Sequence, residues 1–304
     1  MNLAPIILFA FNRPWHTRHT LDALSRNLEA KDSLLYIYCD GAKENTEGEN
    51  ILQIQEVRLL AKAESRFKEV VVKESHKNKG LANSIIEGVT EIINKHGKII
   101  VLEDDIITSP FFLKYMNDGL NTYENSANVY AINSYMFPVN FDKTTTFLSP
   151  LATGSWGWGT WTDKWEAFEV LPKYKSIIQN NPLLRARFNF ADYNYADMLN
   201  NTNSWAIRWY YSVFLRNGLG VFPTKTLSHN IGFGISATHT KSEFAQMNLF
   251  NDKVLVEYQE YIDMELHEKL LNYFVKPTDK VEKKRFLERI YRKIFSVLKK
   301  LTSV

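Results

Sequence analysis

The chain has 304 residues, 45% of them hydrophobic and 23% charged, an ordinary globular mixture long enough for one large α/β domain or two small ones. Its single cysteine, Cys39, excludes an internal disulfide and points to a reducing compartment. The net charge of +3 divides into +6 on residues 277–304 and −3 on the rest, and so mildly acidic a body argues against a nucleic-acid partner.

The N-terminal "MNLAPIILFAFNRP" has no basic leader and too short an apolar run for a signal peptide or a spanning helix. Residues 4–11 predict a buried strand. A helix follows in "RPWHTRHTLDALSRN", with Leu21, Leu24 and Leu28 at helical spacing. "SLLYIYCDG" predicts a second strand, "ENILQIQEVRLLAKAESRF" a helix and "KEVVVKES" a third strand. "GLANSIIEGVTEIINKHG" predicts a helix closed by Gly97, and "KIIVLEDD" a fourth strand. This alternation implies a Rossmann-like, mostly parallel sheet flanked by helices. Ligands bind such sheets at the carboxyl ends of the strands. Asn12-Arg13, Asp40-Gly41, the 76–80 loop and Glu103-Asp104-Asp105 should all lie there.

Beyond Ser109 the alternation stops. "PFFLKYMNDGLNTYEN" and "NSWAIRWYYSVFLRNG" predict helices, and "NVYAINSYM" a strand. "GSWGWGTWTDKW" is dense in Trp and Gly, a composition suited to stacking on sugar faces. Within it Trp161 and Trp165, at i,i+4 on a helix, read as core, and Trp156 and Trp158 as site-facing. No dinucleotide fingerprint or P-loop occurs.

Glu103, Asp104 and Asp105 pose an electrostatic problem, since adjacent carboxylates repel and their burial is costly unless a positive charge compensates. A hard divalent cation with oxygen ligands, one or two of them carboxylates, would do so. Strand alternation predicts Glu103 and Asp105 on one side and Asp104 on the other.

"VLEDDIITSPFFLKYM", preceded by "FAFNRP", "YCDGAK" and "NKGLANSI", resembles a nucleotide-sugar glycosyltransferase of the GT-A (nucleotide-diphospho-sugar transferase) fold. It is most similar to the N-acetylglucosaminyltransferase I group and its bacterial relatives, over approximately residues 4–240. The resemblance implies that Asp105 ligates Mn²⁺ or Mg²⁺ bridging the donor diphosphate, while Glu103 and Asp104 contact ribose or sugar. It also implies donor contacts from Phe11, Asn12, Arg13, Asp40 and Lys79, with Asp40 on the base. It puts residues 1–109 in the donor half of the domain and 110–276 in the acceptor half. "GSWGWGTWTDKW" resembles the acceptor loop, giving Trp156, Gly157 and Trp158 as acceptor contacts. His239 is a late histidine of the kind that reaches back to the metal, and Arg208 is a candidate diphosphate contact.

Where the resemblance places a catalytic base, the sequence has Ala206 and Ile207, so Asp197, Asp163 and Glu166 are the alternatives and the stereochemical course is open. Residues 277–304 form a basic amphipathic helix suited to an anionic membrane surface. The resulting expectation is a UDP-sugar-dependent transferase building bacterial surface polysaccharide, such as O-antigen or capsule, on a glycan or lipid-linked acceptor. It would be cytoplasmic, peripheral to the inner face of the plasma membrane. The competing expectations are a sugar-nucleotidyltransferase and a non-catalytic nucleotide- or carbohydrate-binding protein of the same fold.

Overall fold

A computed structural model describes residues 3–201, 203–233 and 246–275. His239 and the amphipathic segment 277–304 lie outside the described residues. The first half follows the expected alternation. Strands β1 (Ile6–Ala10), β2 (Leu34–Cys39), β3 (Glu69–Glu74) and β4 (Lys98–Glu103) alternate with helices α1 (Pro14–Leu24), α2 (Glu49–Ala63) and α3 (Leu81–His96). Strands β1, β2 and β4 are mostly apolar because both faces of a parallel sheet are covered, while β3, at the sheet edge, is half charged and only partly buried. Gly97 closes α3 in the left-handed region, φ 83°, where a side chain would be strained. Leu28, placed by spacing on the buried side of α1, is exposed instead, because that helix ends at Leu24.

The second half adds β5 (Ile106–Thr108), α4 (Phe112–Thr122), β6 (Val129–Asn133), β7 (Thr146–Ser149), β8 (Trp158–Trp161) and α5 (Thr162–Trp165). Short helices α6 (Lys175–Asn180), α7 (Pro182–Phe188) and α8 (Tyr195–Met198) follow, then α9 (Trp205–Phe214), β9 (Leu219–Pro223), β10 (Ser228–Asn230) and α10 (Met264–Phe274). One eight-stranded sheet runs β3-β2-β1-β4-β8-β6-β9-β7. Pairing is parallel from β3 to β4 and between β6 and β9, while β8 and β7 are antiparallel to their neighbours. The second half therefore extends the same sheet. Trp161 ends β8 rather than sharing a helix with Trp165. Both are buried.

Alternate residues of β1 and β4 feed two cores. Ile7, Phe9, Ile99 and Val101 pack with α3 and α9, and Ile6, Leu8, Ile100 and Leu102 with α1, α2 and α4. Among the described residues no helix is long and apolar enough to cross a membrane.

The extension is locked at Asn133. Its amide nitrogen donates to the carbonyls of Ala152 (3.0 Å) and Val221 (3.2 Å), and its oxygen accepts from Gly154 N–H (2.6 Å). Gly220 makes this crossing possible, since a Cβ there would overlap the Ala152 carbonyl, a backbone group that cannot swing aside. Gly220→Ala should destabilise the protein by about 3 kcal/mol, measured by denaturant unfolding; an unchanged midpoint would refute this account of the crossing.

Candidate functional site

β4 stops at Glu103, and Asp104 and Asp105 form the turn into β5. Alternation therefore governs only the first two acids. Glu103 faces the α9 side, where the neighbouring Trp205 indole favours its charged form. Asp104 faces the α1 side. Its Oδ2 accepts from the Phe11 N–H (3.4 Å) and its carbonyl from the Thr20 hydroxyl (2.8 Å). Asp105, expected on the Glu103 side, leaves the strand and meets β1 and β10 instead.

The positive charge beside the cluster is Arg13. It follows β1 directly, and parallel β1–β4 pairing brings Phe9 opposite Glu103. Arg13 Nη1 donates to Asp105 Oδ2 at 2.8 Å. Its Nη2 lies 2.9 Å from His16 Nε2. Burial and the neighbouring guanidinium lower the His16 pKa to about 4, so at neutral pH the ring is uncharged and its Nε2 accepts from Arg13. The Arg13 Nε is buried with no partner among the described residues.

The chain closes over this pair from β10, which pairs antiparallel with β5 so that Asn230 stands opposite Ile106. Ile231 N–H donates to the Asp105 carbonyl at 2.9 Å. Asn230 Nδ2 lies 3.4 Å from Asp105 Oδ1, and its Oδ1 accepts from Gly232 N–H at 2.7 Å. A Cβ on Gly232 would overlap the Asp105 carboxylate and come within 3.1 Å of Arg13 Nη1. Only glycine lets the backbone approach so closely.

One guanidinium does not balance three carboxylates. Burial, then the charges of Asp105 and Asp104, push Glu103 up to about 8. Burial and the Asp105 charge push Asp104 up to about 7. Burial also raises Asp105, against the opposing pull of Arg13.

The other sequence candidates divide. Asp40 was expected to meet a base, but its carboxylate is spent on its own surroundings. Oδ1 accepts from Gly41 N–H (2.8 Å) and Lys79 N–H (2.9 Å), and Oδ2 from Asn78 Nδ2 and Gly80 N–H (both 3.0 Å). Four donors fill its lone-pair sites, and it serves to clamp the β3–α3 loop onto the end of β2. The ammonium of Lys79 pairs with Glu87 at 2.6 Å on the surface, and Asn12 bonds to Asn50. Arg208 bonds to the carbonyls of Ser204 (3.1 Å) and Val170 (3.3 Å), a structural use of its guanidinium.

Trp158, expected to face a ligand, is fully buried and stacks on Trp205 with centroids 5.2 Å apart. Its strand position puts it in the α3–α9 core. Gly157 is buried as well, at φ 87°, with a Cβ there only 2.5 Å from Ser134 Oγ. It is a packing glycine. Trp156 is only half-buried, and its ring contacts Tyr135 (4.4 Å) and Phe233 (5.5 Å), next to Gly232.

None of the base candidates is bonded into the cluster. Trp161 pairs with Lys98, so Asp163 and Glu166 follow the amino end of β4, five residues and about 17 Å along the strand from Glu103. Asp197 is exposed and taken up by Arg185 (2.7 Å) and Asn194. The residues missed in the sequence are His16, Trp205, Asn230 and Gly232. The Gly-rich "HNIGFG" was the available signal for the last two.

The donor set suits a hard cation, since it offers carboxylate oxygens whose charged forms are disfavoured by burial and would be favoured by a bound positive charge. Among the described residues no three His, Cys, Asp or Glu converge as a complete ligand set. A cation here would take one or two carboxylates, with Asp105 the foremost, and draw its remaining ligands from water or phosphate.

No protein-family model matches the sequence, and no curated protein matches it. Solved structures give distant likenesses. One is a mannosyltransferase from Pyrobaculum calidifontis in complex with GDP-Man and Mn²⁺, at 11% identity and TM-score 0.35, over 64% of this chain and 51% of that one. TarS of S. aureus gives 8% and 0.38, over 75% and 36%. A UDP-glucose pyrophosphorylase complexed with UDP-glucose gives 11% and 0.35, over 73% and 90%. The chain thus spans about half of the mannosyltransferase and about a third of TarS. None of these singles out the N-acetylglucosaminyltransferase I group. What the chain itself defines is a mixed α/β protein with a carboxylate cluster at the carboxyl edge of a mostly parallel sheet.

The raised carboxylates set a pH dependence. Unfolded, Glu103 and Asp104 lose their protons near pH 4; folded, they keep them to about 8 and about 7. Between these limits the folded state holds more protons, so metal-free stability should fall as pH rises from 5 to 8. Glu103→Gln should flatten that slope in thermal melts. An equally steep slope in the variant would refute the assignment.

Proposed function

We propose that this protein is a metal-dependent glycosyltransferase that takes a sugar from a nucleotide-sugar donor, with UDP-sugars favoured. The observation that carries the proposal is the convergence of Arg13, Glu103, Asp104, Asp105 and Asn230 where β1, β4 and β10 end. Mn²⁺ or Mg²⁺ held by Asp105 would supply positive charge to the diphosphate leaving group. The chain's own residues do the rest. Arg13, held by Asp105 and neutral His16, presents a fixed positive charge to the diphosphate. Glu103, beside Trp205, and Asp104, oriented by the Phe11 amide, accept hydroxyls of the sugar and ribose. Trp156 borders the loop on which Gly232 and Phe233 stand and offers the acceptor an aromatic edge. His239 as a metal ligand and the basic segment 277–304 as a membrane contact belong to the proposal on sequence grounds. So do the lipid-linked or glycan acceptor and the role in surface polysaccharide assembly.

A second reading, a nucleotide- or carbohydrate-binding protein without turnover, is favoured by one observation: none of Asp163, Glu166 and Asp197 is bonded to the cluster, Asp163 pairing with Lys164 and Asp197 with Arg185. A nucleotidyltransferase has less support, since the turn from β1 into α1, Phe11–Arg13, holds no glycine to wrap a triphosphate.

Thermal melts with UDP, GDP, CMP and their sugars, with and without Mn²⁺, provide the test. One nucleotide should stabilise the protein in a Mn²⁺-dependent way, by about 2.7 kcal/mol at a hundredfold excess over Kd. Asp105→Asn should abolish the Mn²⁺ dependence while the variant remains folded. No response to any nucleotide would overturn the proposal. A response without release of nucleotide from the sugar donor, with or without acceptor, would select the binding protein.

A further inference from the structure

The segment between α5 and α8 is unusual for what it leaves in water. Leu171 is 68% exposed, Ile177 56% and Leu183 82%, and Val170 and Tyr174 are exposed as well. Leu171, Tyr174 and Ile177 are spaced i, i+3, i+6 through the turn leading into α6, and Leu183 stands in the first turn of α7. Residues 170–191 hold Lys173, Lys175, Arg185 and Arg187 and no acid. Of the four, Arg185 pairs with Asp197 and Arg187 bonds to Asn217, while the lysines have no acidic partner among the described residues. The flanking Glu169 is paired with Arg216 at 3.7 Å.

The patch is firmly mounted. Glu169 N–H donates to Ser212 Oγ (2.8 Å), Tyr174 N–H to Tyr211 Oη (3.1 Å), and Arg208 to the Val170 carbonyl. All three anchors lie on α9, whose first residue, Trp205, neighbours Glu103. Arg208, whose guanidinium holds Val170, stands about one helical turn along α9 from Trp205.

A second group of exposed apolar side chains, Leu255, Tyr258, Tyr261 and Met264, makes the contrast. It lies within residues 254–268, which carry Glu257, Glu260, Asp263, Glu265 and Glu268 and no Lys or Arg. The two groups are alike in exposure and opposite in charge. An anionic surface would accept the first and repel the second.

We propose that residues 170–187 rest on an anionic lipid bilayer. Leu171, Tyr174, Ile177 and Leu183 enter the headgroup layer, and Lys173, Lys175 and Arg187 face lipid phosphates. This contact is independent of the donor assignment and separate from the one proposed for residues 277–304.

The test is co-sedimentation of the full chain with phosphatidylcholine vesicles, with and without phosphatidylserine. The wild type should bind only the anionic vesicles, more weakly as salt rises. The triple change Leu171→Glu, Ile177→Glu, Leu183→Glu, made on exposed positions and checked by its melting curve, should weaken binding by roughly tenfold or more. Tyr261→Glu with Met264→Glu should change nothing. A triple variant that binds like wild type overturns the proposal, as does a wild type that ignores anionic vesicles. If the triple change converts a dimer into a monomer and leaves vesicle binding intact, the patch is an interface between copies and the proposal fails.

Discussion

Three carboxylates stand in succession where the central strand of the sheet ends, and among the described residues one guanidinium, that of Arg13, is paired with them. Much of the local architecture follows from that imbalance. Arg13 is fixed by Asp105 on one side and by an uncharged His16 on the other, so it cannot swing away to water. Asp104 gains an N–H from the end of β1, and the Trp205 indole of α9 neighbours Glu103 and favours its charged form. Even so, both carboxyls are pushed towards neutral pH, which marks a site short of positive charge. A cation and an anionic ligand arriving together would complete it.

The sheet explains why these groups meet. Parallel pairing puts the ends of β1 and β4 side by side, so Arg13 and the acids emerge as neighbours although about ninety residues separate them. The antiparallel strand β8 then reverses direction beside β4. Trp156 and Gly157 come to the carboxylate edge, while Asp163 and Glu166 go to the far edge. Residues read as one motif in the sequence are divided between opposite edges of the sheet. Helix α9 couples the site to the surface, with Trp205 on Glu103 at its start and Arg208, Tyr211 and Ser212 holding the segment around Val170.

Where sequence inference failed, it failed on shared grounds. Asp40 and Trp158 were assigned by residue type and position. What decided their roles was the number of partners each already had. Asp40 has four donors on its carboxylate, and Trp158 has a stacked indole and a full core around it. Spacing along the chain carries no information about satisfaction.

The alternation of apolar strands and amphipathic helices through residue 105 was legible in the sequence because periodicity and burial are local properties of a chain packed on both faces of a sheet. The same local reasoning put Asn12, Arg13 and the three acids on one edge, and demanded a positive charge there before one was seen. Tertiary structure alone decided that the charge is Arg13, that Asn230 and Gly232 close over Asp105, and that the candidate bases lie elsewhere. Those outcomes depend on strand direction and on contacts between residues up to 125 positions apart, which no local pattern encodes.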